Sequence, residues 1–240
     1  MPADERAPRT DALTVLAHGE VEVRGRMPWS SNATFLVELC HDGMTMPAVY
    51  KPIRGERPLW DFPAGLHRRE VAAFRLSEAL GWGLVPETVV REDGPLGPGS
   101  LQRFVAADFS QHYFTLLERP ELHGVLRTVC AFDLVANNAD RKGGHCLLGE
   151  DGRVWAIDNG LCFLAEPSLR TVIWDFAGEP VPEPLVADVA RLGAAPQTGL
   201  EDLLDPDEVD ALRRRAAAVV ARPTFPGPGR SRYAYPWPLV

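Results

Sequence analysis

The spacing of apolar residues changes part-way along the chain, and this change limits the possible folds more than any single motif does. Up to Val105, apolar and polar residues alternate in short runs: VEVRG, ATFLVEL, PAVYK, PETVVRED and SLQRFVA. Period-two runs bounded by Gly, Pro, Asn and Asp predict strands. The first two are separated by RMPWSSN, longer than a tight turn, and the last two by the Gly/Pro-rich GPLGPG. After the connector PIRGERPLWDFPAG, the stretch LHRREVAAFRLSEALG has helical spacing and closes at Gly81, the usual C-terminal position for glycine. The expectation is five strands with one helix after the third, preceded by a frayed start.

Beyond Val105 the period becomes helical. SQHYFTLLE and ELHGVLRTVCAFDLVA carry apolar residues at helix spacing, with Leu122, Val125, Leu126, Val129 and Phe132 on one stripe. HCLLGEDGRVWAIDNG reads as strand, turn and strand, and EPLVADVARLG as a helix. DPDEVDALRRRAAAVVAR begins with Asp205 as N-cap, Pro206 at the first helical position and Glu208 completing a capping box. The tail PTFPGPGRSRYAYPWPLV is too rich in proline for a helix. The fold class is therefore α+β in one two-lobed domain. A lobe over 15–105 holds an antiparallel sheet and one helix, a mainly helical lobe over 106–222 contains a hairpin, and a Pro-rich tail covers 223–240.

Composition excludes some functions. At 45% hydrophobic and 24% charged residues the chain is an ordinary globular protein. A net charge of −8 repels nucleic acid and anionic bilayers, so no nucleic-acid partner is expected. No apolar run approaches the roughly 18 residues of a membrane span, so no integral membrane segment is expected. Cys40, Cys130, Cys146 and Cys162 lie in apolar runs without a C-x-x-C pairing and read as core residues. That usage fits a reducing, cytoplasmic location.

Chemistry concentrates in NNADRKGGHCLL, residues 137–148, where the helical pattern stops and a strand pattern starts. If Asp151 and Gly152 are the central residues of a type I′ turn, Leu148 faces Trp155, Cys146 faces Ile157 and His145 faces Asp158. A turn centred one residue earlier shifts that pairing. Facing residues have Cβ atoms about 4.5 to 5.5 Å apart, which leaves a metal-sized gap between an imidazole and a carboxylate. Asp140 lies in the loop leading to the same end. Hard divalent ions bound with a nucleotide need only one or two protein carboxylates. The neighbouring cations Arg141 and Lys142 make sense if the metal brings phosphates.

The stretch FDLVANNADRKGGHCLLGEDGRVWAIDNGLCF resembles the catalytic and metal-binding segment of the phosphatidylinositol 3-/4-kinase-like superfamily. It is closest to the type II phosphatidylinositol 4-kinases and more loosely similar to HipA-type kinases. Asp140–Arg141 matches the family's aspartate and following basic residue, and Asp158–Asn159–Gly160 its later DFG or DNG. Position 145 departs, with histidine where the family has a metal-binding asparagine. Further back, Lys51 at a strand end and Glu70 on the following helix resemble the kinase lysine–glutamate pair.

The resemblance implies a kinase-like fold that binds ATP with Mg²⁺ or Mn²⁺ and transfers the γ-phosphoryl group to an alcohol: a lipid, metabolite or protein hydroxyl. Asp158 and His145 would hold the metal, Lys51 the phosphates, and Asp140 the attacking hydroxyl. Arg141 or Lys142 would offset charge on the transferred group. Backbone N–H groups of Ser30, Ser31 and Asn32 would cap the phosphates, and adenine would lie against Gln102, Arg103, Phe104 and Val105. Each residue has a plainer reading: Asp140 and Asp158–Asn159–Gly160 as turn formers, His145 as a structural histidine, Lys51 and Glu70 as surface charges. Asp133 either bonds the loop that follows it or faces solvent. Other functions compatible with the same residues are a nucleotide-binding pseudokinase that regulates a protein partner, and transfer of AMP.

Overall fold

In a computed structural model, residues 9–28, 32–194, 199–228 and 234–240 are described. The chain divides into two compact units, Met1–Val71 with Pro86–Phe104, and Ala72–Val85 with Val105–Val240. The segment 72–85, assigned from sequence to the first lobe, thus groups with the second unit.

The alternating runs of the first unit form the strands that their period predicts. They are β1 (Glu20–Arg26), β2 (Phe35–His41), β3 (Met44–Pro52), β4 (Thr88–Arg91) and β5 (Gly99–Arg103). All pairings are antiparallel, in the order β1-β2-β3-β5-β4. One face buries Val37, Leu39, Ala48, Tyr50 and Leu101. The start of the chain is not frayed throughout: Arg9–His18 form a helix, α1, whose Val15 and Leu16 complete that cluster. Its ten residues are too few to be stable alone in water, so the sheet face is what holds the helix. Cys40 departs from the core assignment. It is exposed because Val37 and Leu39 face inward and the period of two turns their neighbour outward. β1 carries a register shift between Val23 and Gly25.

After β3 comes α2 (Leu66–Ala79), the predicted inserted helix. Glu56 caps its start, with Oε2 accepting from the Gly65 N–H at 3.1 Å and Oε1 from the His67 N–H at 3.0 Å. Burial works against the charge, yet the His67 ring, with Nδ1 3.0 Å from Oε1, and these backbone donors hold the Glu56 carboxyl below its ordinary range. Gly81 ends the helix as predicted, at φ +74°, while the Trp82 N–H reaches back to the Ser77 carbonyl at 3.0 Å.

The second unit contains α3 (Tyr113–Leu117), α4 (His123–Ala136), the hairpin β6 (Cys146–Leu148) with β7 (Val154–Ala156), α5 (Glu183–Ala194) and α6 (Pro206–Ala221). The capping box at α6 forms, Glu208 Oε2 accepting from the Asp205 N–H at 3.1 Å. α6 packs on α5 and α4. Its Arg215 Nε donates to the Val135 carbonyl at 2.9 Å, tying α6 to the end of α4. The Pro-rich tail packs back on this unit through buried Phe225 and Ala234. Among the described residues no helix is long and apolar enough to cross a membrane.

Candidate active site

Asn137 ends α4 in the left-handed region at φ 54°, a conformation asparagine tolerates. Its amide then bridges outward: Nδ2 donates to the carbonyls of Leu164 (2.9 Å) and Glu166 (2.7 Å), and Oδ1 accepts from the Ser168 N–H (3.0 Å). Fully buried Asn138 shapes the next turn, with Oδ1 accepting from the Asp140 N–H at 2.9 Å and Nδ2 donating to Asp133 at 3.0 Å. Asp140 therefore stands on a loop fixed from beneath. Its carboxylate meets Lys142 Nζ at 3.1 Å, and both side chains keep partial access to solvent. Burial pushes the Asp140 carboxyl up, Lys142 pulls it back, and the charge of Asp158 pushes it up again.

Arg141 does not take the place expected for it. The guanidinium is completely buried, and its donors are directed into the protein. Nε donates to both oxygens of Asp133 at 3.1 Å, and Nη2 to Asp133 Oδ1 (2.9 Å) and Asn159 Oδ1 (2.7 Å). Nη1 donates to the carbonyls of Ile157 (2.9 Å) and His145 (3.4 Å). Burial opposes the charge, but the Asp133 carboxylate outweighs it and holds Arg141 protonated. Thr171 adds a 3.4 Å contact to Asp133 Oδ2. Three chain segments are thus fastened to one cation: the end of α4, the loop that follows it and the residues after β7.

The hairpin register also differs from the expectation by one residue. Cys146 pairs with Ala156, Leu147 with Trp155 and Leu148 with Val154. The Gly149 N–H donates to the Arg153 carbonyl, so the loop has three residues and Gly152 supplies the left-handed position at φ +74°. A type I turn followed by a left-handed glycine is the standard three-residue solution, and an Asp-Gly pair fits it as well as it fits the two-residue turn. In the true register His145 bonds Ile157 through the backbone, at 3.0 Å, rather than facing Asp158. The two side chains nevertheless converge, Nε2 lying 3.4 Å from Asp158 Oδ2. Asp158 turns into the left-handed region at φ 56°, outside the strand, which swings its exposed carboxylate toward the imidazole. Among the described residues, Asn137, Asp158 and Phe163 are three of the four non-glycine residues with positive φ, so backbone strain gathers around this site.

Among the described residues no three His, Cys, Asp or Glu side chains are placed to hold a metal by themselves. His145 and Asp158 form a two-donor set, which suits an ion whose other ligands are phosphates and waters and not a closed protein cage. Asn159 is engaged elsewhere, accepting from Arg141 and donating to the Ala156 carbonyl at 3.0 Å.

In the first unit, Lys51 of β3 forms a salt bridge with Glu70 of α2. Glu70 is buried on the same face of α2 as Ala73, Phe74 and Ser77, while the Lys51 side chain is 20% exposed. Asn32 Oδ1 accepts from the Arg57 N–H at 3.1 Å. Ser30 and Ser31 lie outside the described residues. The residues expected beside adenine divide. Gln102 is buried and bonded to Thr88, Arg103 pairs with Glu87 at 2.6 Å, and Phe104 ends the first unit. Val105 belongs to the second unit, packed on Leu147 and Trp155.

The sequence placed Asn138 in the loop and Asn159 in the DNG motif, but the buried network that joins them and Thr171 to Asp133 and Arg141 was not read from it. A signal was present in Asp133: a carboxylate flanked by the apolar residues of a core helix is almost never buried without a partner, which called for a buried cation.

No family model matches the chain. Among solved structures, the Golgi casein kinase with Mn/ADP bound aligns over 89% of this chain and 74% of its own, with a TM-score of 0.57 at 13% identity. Hydra Fam20 with sugar aligns over 90% and 88%, with a TM-score of 0.58 at 15% identity. At such low identity what is shared is the fold, and that fold is protein-kinase-like. Over 96% of both chains the sequence is 39% identical to "Protein Rv2133c" of Mycobacterium tuberculosis (strain ATCC 25618 / H37Rv), and the chain belongs to that protein's family.

Proposed function

We propose that the chain is a phosphotransferase moving the γ-phosphoryl group of ATP to a hydroxyl acceptor. The observation that carries this reading is the Lys51–Glu70 pair, a buried carboxylate on α2 holding a lysine whose side chain is partly exposed. Kinases position the phosphate-binding lysine in this way. In the second unit Asp158 and His145 would hold a divalent ion, which neutralises phosphate charge when bound. Asp140 would take the proton of the attacking hydroxyl as its oxygen bonds to the γ-phosphorus and the bond to the β-phosphate oxygen breaks. A carboxyl raised by burial suits that proton transfer. Lys142, not Arg141, would face the developing charge. The ion and nucleotide in the Golgi casein kinase structure, and the motif resemblance to phosphatidylinositol kinases, support the same class of reaction.

The test is incubation with Mg²⁺ or Mn²⁺ and γ- or α-labelled ATP, comparing the wild type with Lys51→Met, Asp140→Ala and Asp158→Ala. Transfer or release of γ label, abolished in all three variants, is the expected result. Retained α label shows AMP transfer instead. Metal-dependent nucleotide binding without turnover across many acceptors shows a pseudokinase, and no nucleotide binding ends the reading. Unchanged metal affinity and turnover in His145→Asn would remove His145 from the ligand set.

A further inference from the structure

The segment 234–240 is held against the loop that carries Asp140, Lys142 and His145. The Gly143 N–H donates to the Leu239 carbonyl at 2.7 Å. Five residues earlier, the Ala234 carbonyl accepts from the Thr171 N–H at 3.1 Å and from Trp174 Nε1 at 3.3 Å. Tyr235 packs edge-on against Trp174, and Pro236 is buried. Thr171 itself flanks the loop from the other side: the Arg141 N–H donates to Arg170 and the Arg141 carbonyl accepts from Val172, both at 3.0 Å. The segment therefore grips the loop at Gly143 and the strand-like residues that brace it at Thr171.

Other backbone N–H groups of this loop are satisfied from within the catalytic core. Asp140 donates to Asn138 and Arg141 to Arg170, while the His145 N–H returns to Lys142. Gly143 looks instead to Leu239. A side chain at this position would meet Phe114 Cε2 at 3.2 Å and the Leu239 oxygen at 3.3 Å, and one at Gly144 would touch Val240 at 4.0 Å. A side chain at Gly143 would thus require Phe114 or the Leu239 carbonyl to give way by a few tenths of an ångström. The loop also has two consecutive glycines, the residues that lose most freedom on ordering, between Lys142 and His145.

We infer that residues 234–240 are a positioning element for the catalytic loop, fixing Gly143 so that Lys142 and His145 stand in working geometry around Asp140. This rests on the phosphotransferase reading for its effect on turnover, but not for the contact itself. A loop displaced by about an ångström can lower a rate by about a hundredfold without touching substrate affinity.

The test deletes residues 237–240, which removes the Leu239 carbonyl and keeps Ala234 and Pro236. A second variant, Gly143→Ala in the full chain, pushes the segment away by its methyl group. The expected result is amide exchange at Gly143 and Gly144 faster by at least about tenfold, with the β1–β5 sheet unchanged. It includes kcat lowered about tenfold or more while KM for ATP stays within about twofold. Combining deletion with Gly143→Ala should add little to either change alone, because both break one contact. Unchanged exchange at Gly143 overturns the proposal, and so does faster exchange in an enzyme with full kcat. A wild type that turns over no nucleotide sinks the phosphotransferase reading, and the exchange measurement then decides alone whether the segment restrains the loop.

Discussion

Each unit of this protein contains a cation paired with a buried carboxylate, and the two pairs do different work. Arg141 and Asp133 are 0% and 1% exposed, whereas Lys51 is 20% exposed over a 3% exposed Glu70. Arginine presents a rigid fork of donors, and every nitrogen of Arg141 is used inside the protein. Lysine is a point charge on a flexible stem, and Glu70 holds Lys51 with part of its side chain still open to solvent. Solvent access, rather than nearness to a motif, separates the two cations.

The contrast can be broken most decisively at Asp133. Asp133→Ala leaves a buried guanidinium uncompensated and should cost about 3 to 5 kcal/mol in chemical denaturation. A loss near zero would mean that solvent reaches Arg141. Next comes Arg141→Lys, which keeps the charge but cannot reach Asp133, Asn159 and Ile157 together; unfilled bonds to buried acceptors should cost about 2 to 3 kcal/mol. In the first unit Lys51→Met should cost less, about 1 to 2 kcal/mol, because only one end of the pair is buried. On the proposed phosphotransferase function it should nevertheless abolish nucleotide turnover, which Arg141→Lys would only weaken.

The smallest effect has the opposite sign. Burial raises the Asp140 carboxyl, so its ionised form is disfavoured in the folded protein and stability falls as pH rises through the folded-state value. Asp140→Asn should therefore melt slightly higher than the wild type at pH 7, with the gain vanishing below the ordinary carboxylate range. Activity should be lost in the same variant. A melting temperature that is lower at neutral pH would show that the Lys142 contact outweighs desolvation.

Local signals made much of the architecture legible before any coordinates. The period-two runs, the closing Gly81, and the Asp205–Pro206–Glu208 start of α6 concern neighbours within a few residues, where spacing and capping chemistry decide. The Lys51–Glu70 pairing was legible through the resemblance to the kinase lysine–glutamate pair. What escaped depended on distant partners. α1 exists because a sheet face needed covering, and the burial of Arg141 depends on a carboxylate eight residues earlier and an amide eighteen later. The hairpin register was missed because Asp-Gly serves two turn lengths with opposite consequences for every facing pair, and nothing local distinguishes them.

The Arg141 network also restricts how this sequence can change over time. Asp133, Asn138, Asn159 and Thr171 satisfy one another around a single guanidinium, so replacement of any one leaves a buried group stranded. Effects at these positions should be far from additive. A viable route to a different set of residues here would pass through several simultaneous substitutions, while the exposed Asp158 and partly exposed Lys142 remain free to vary one at a time without unfolding the chain.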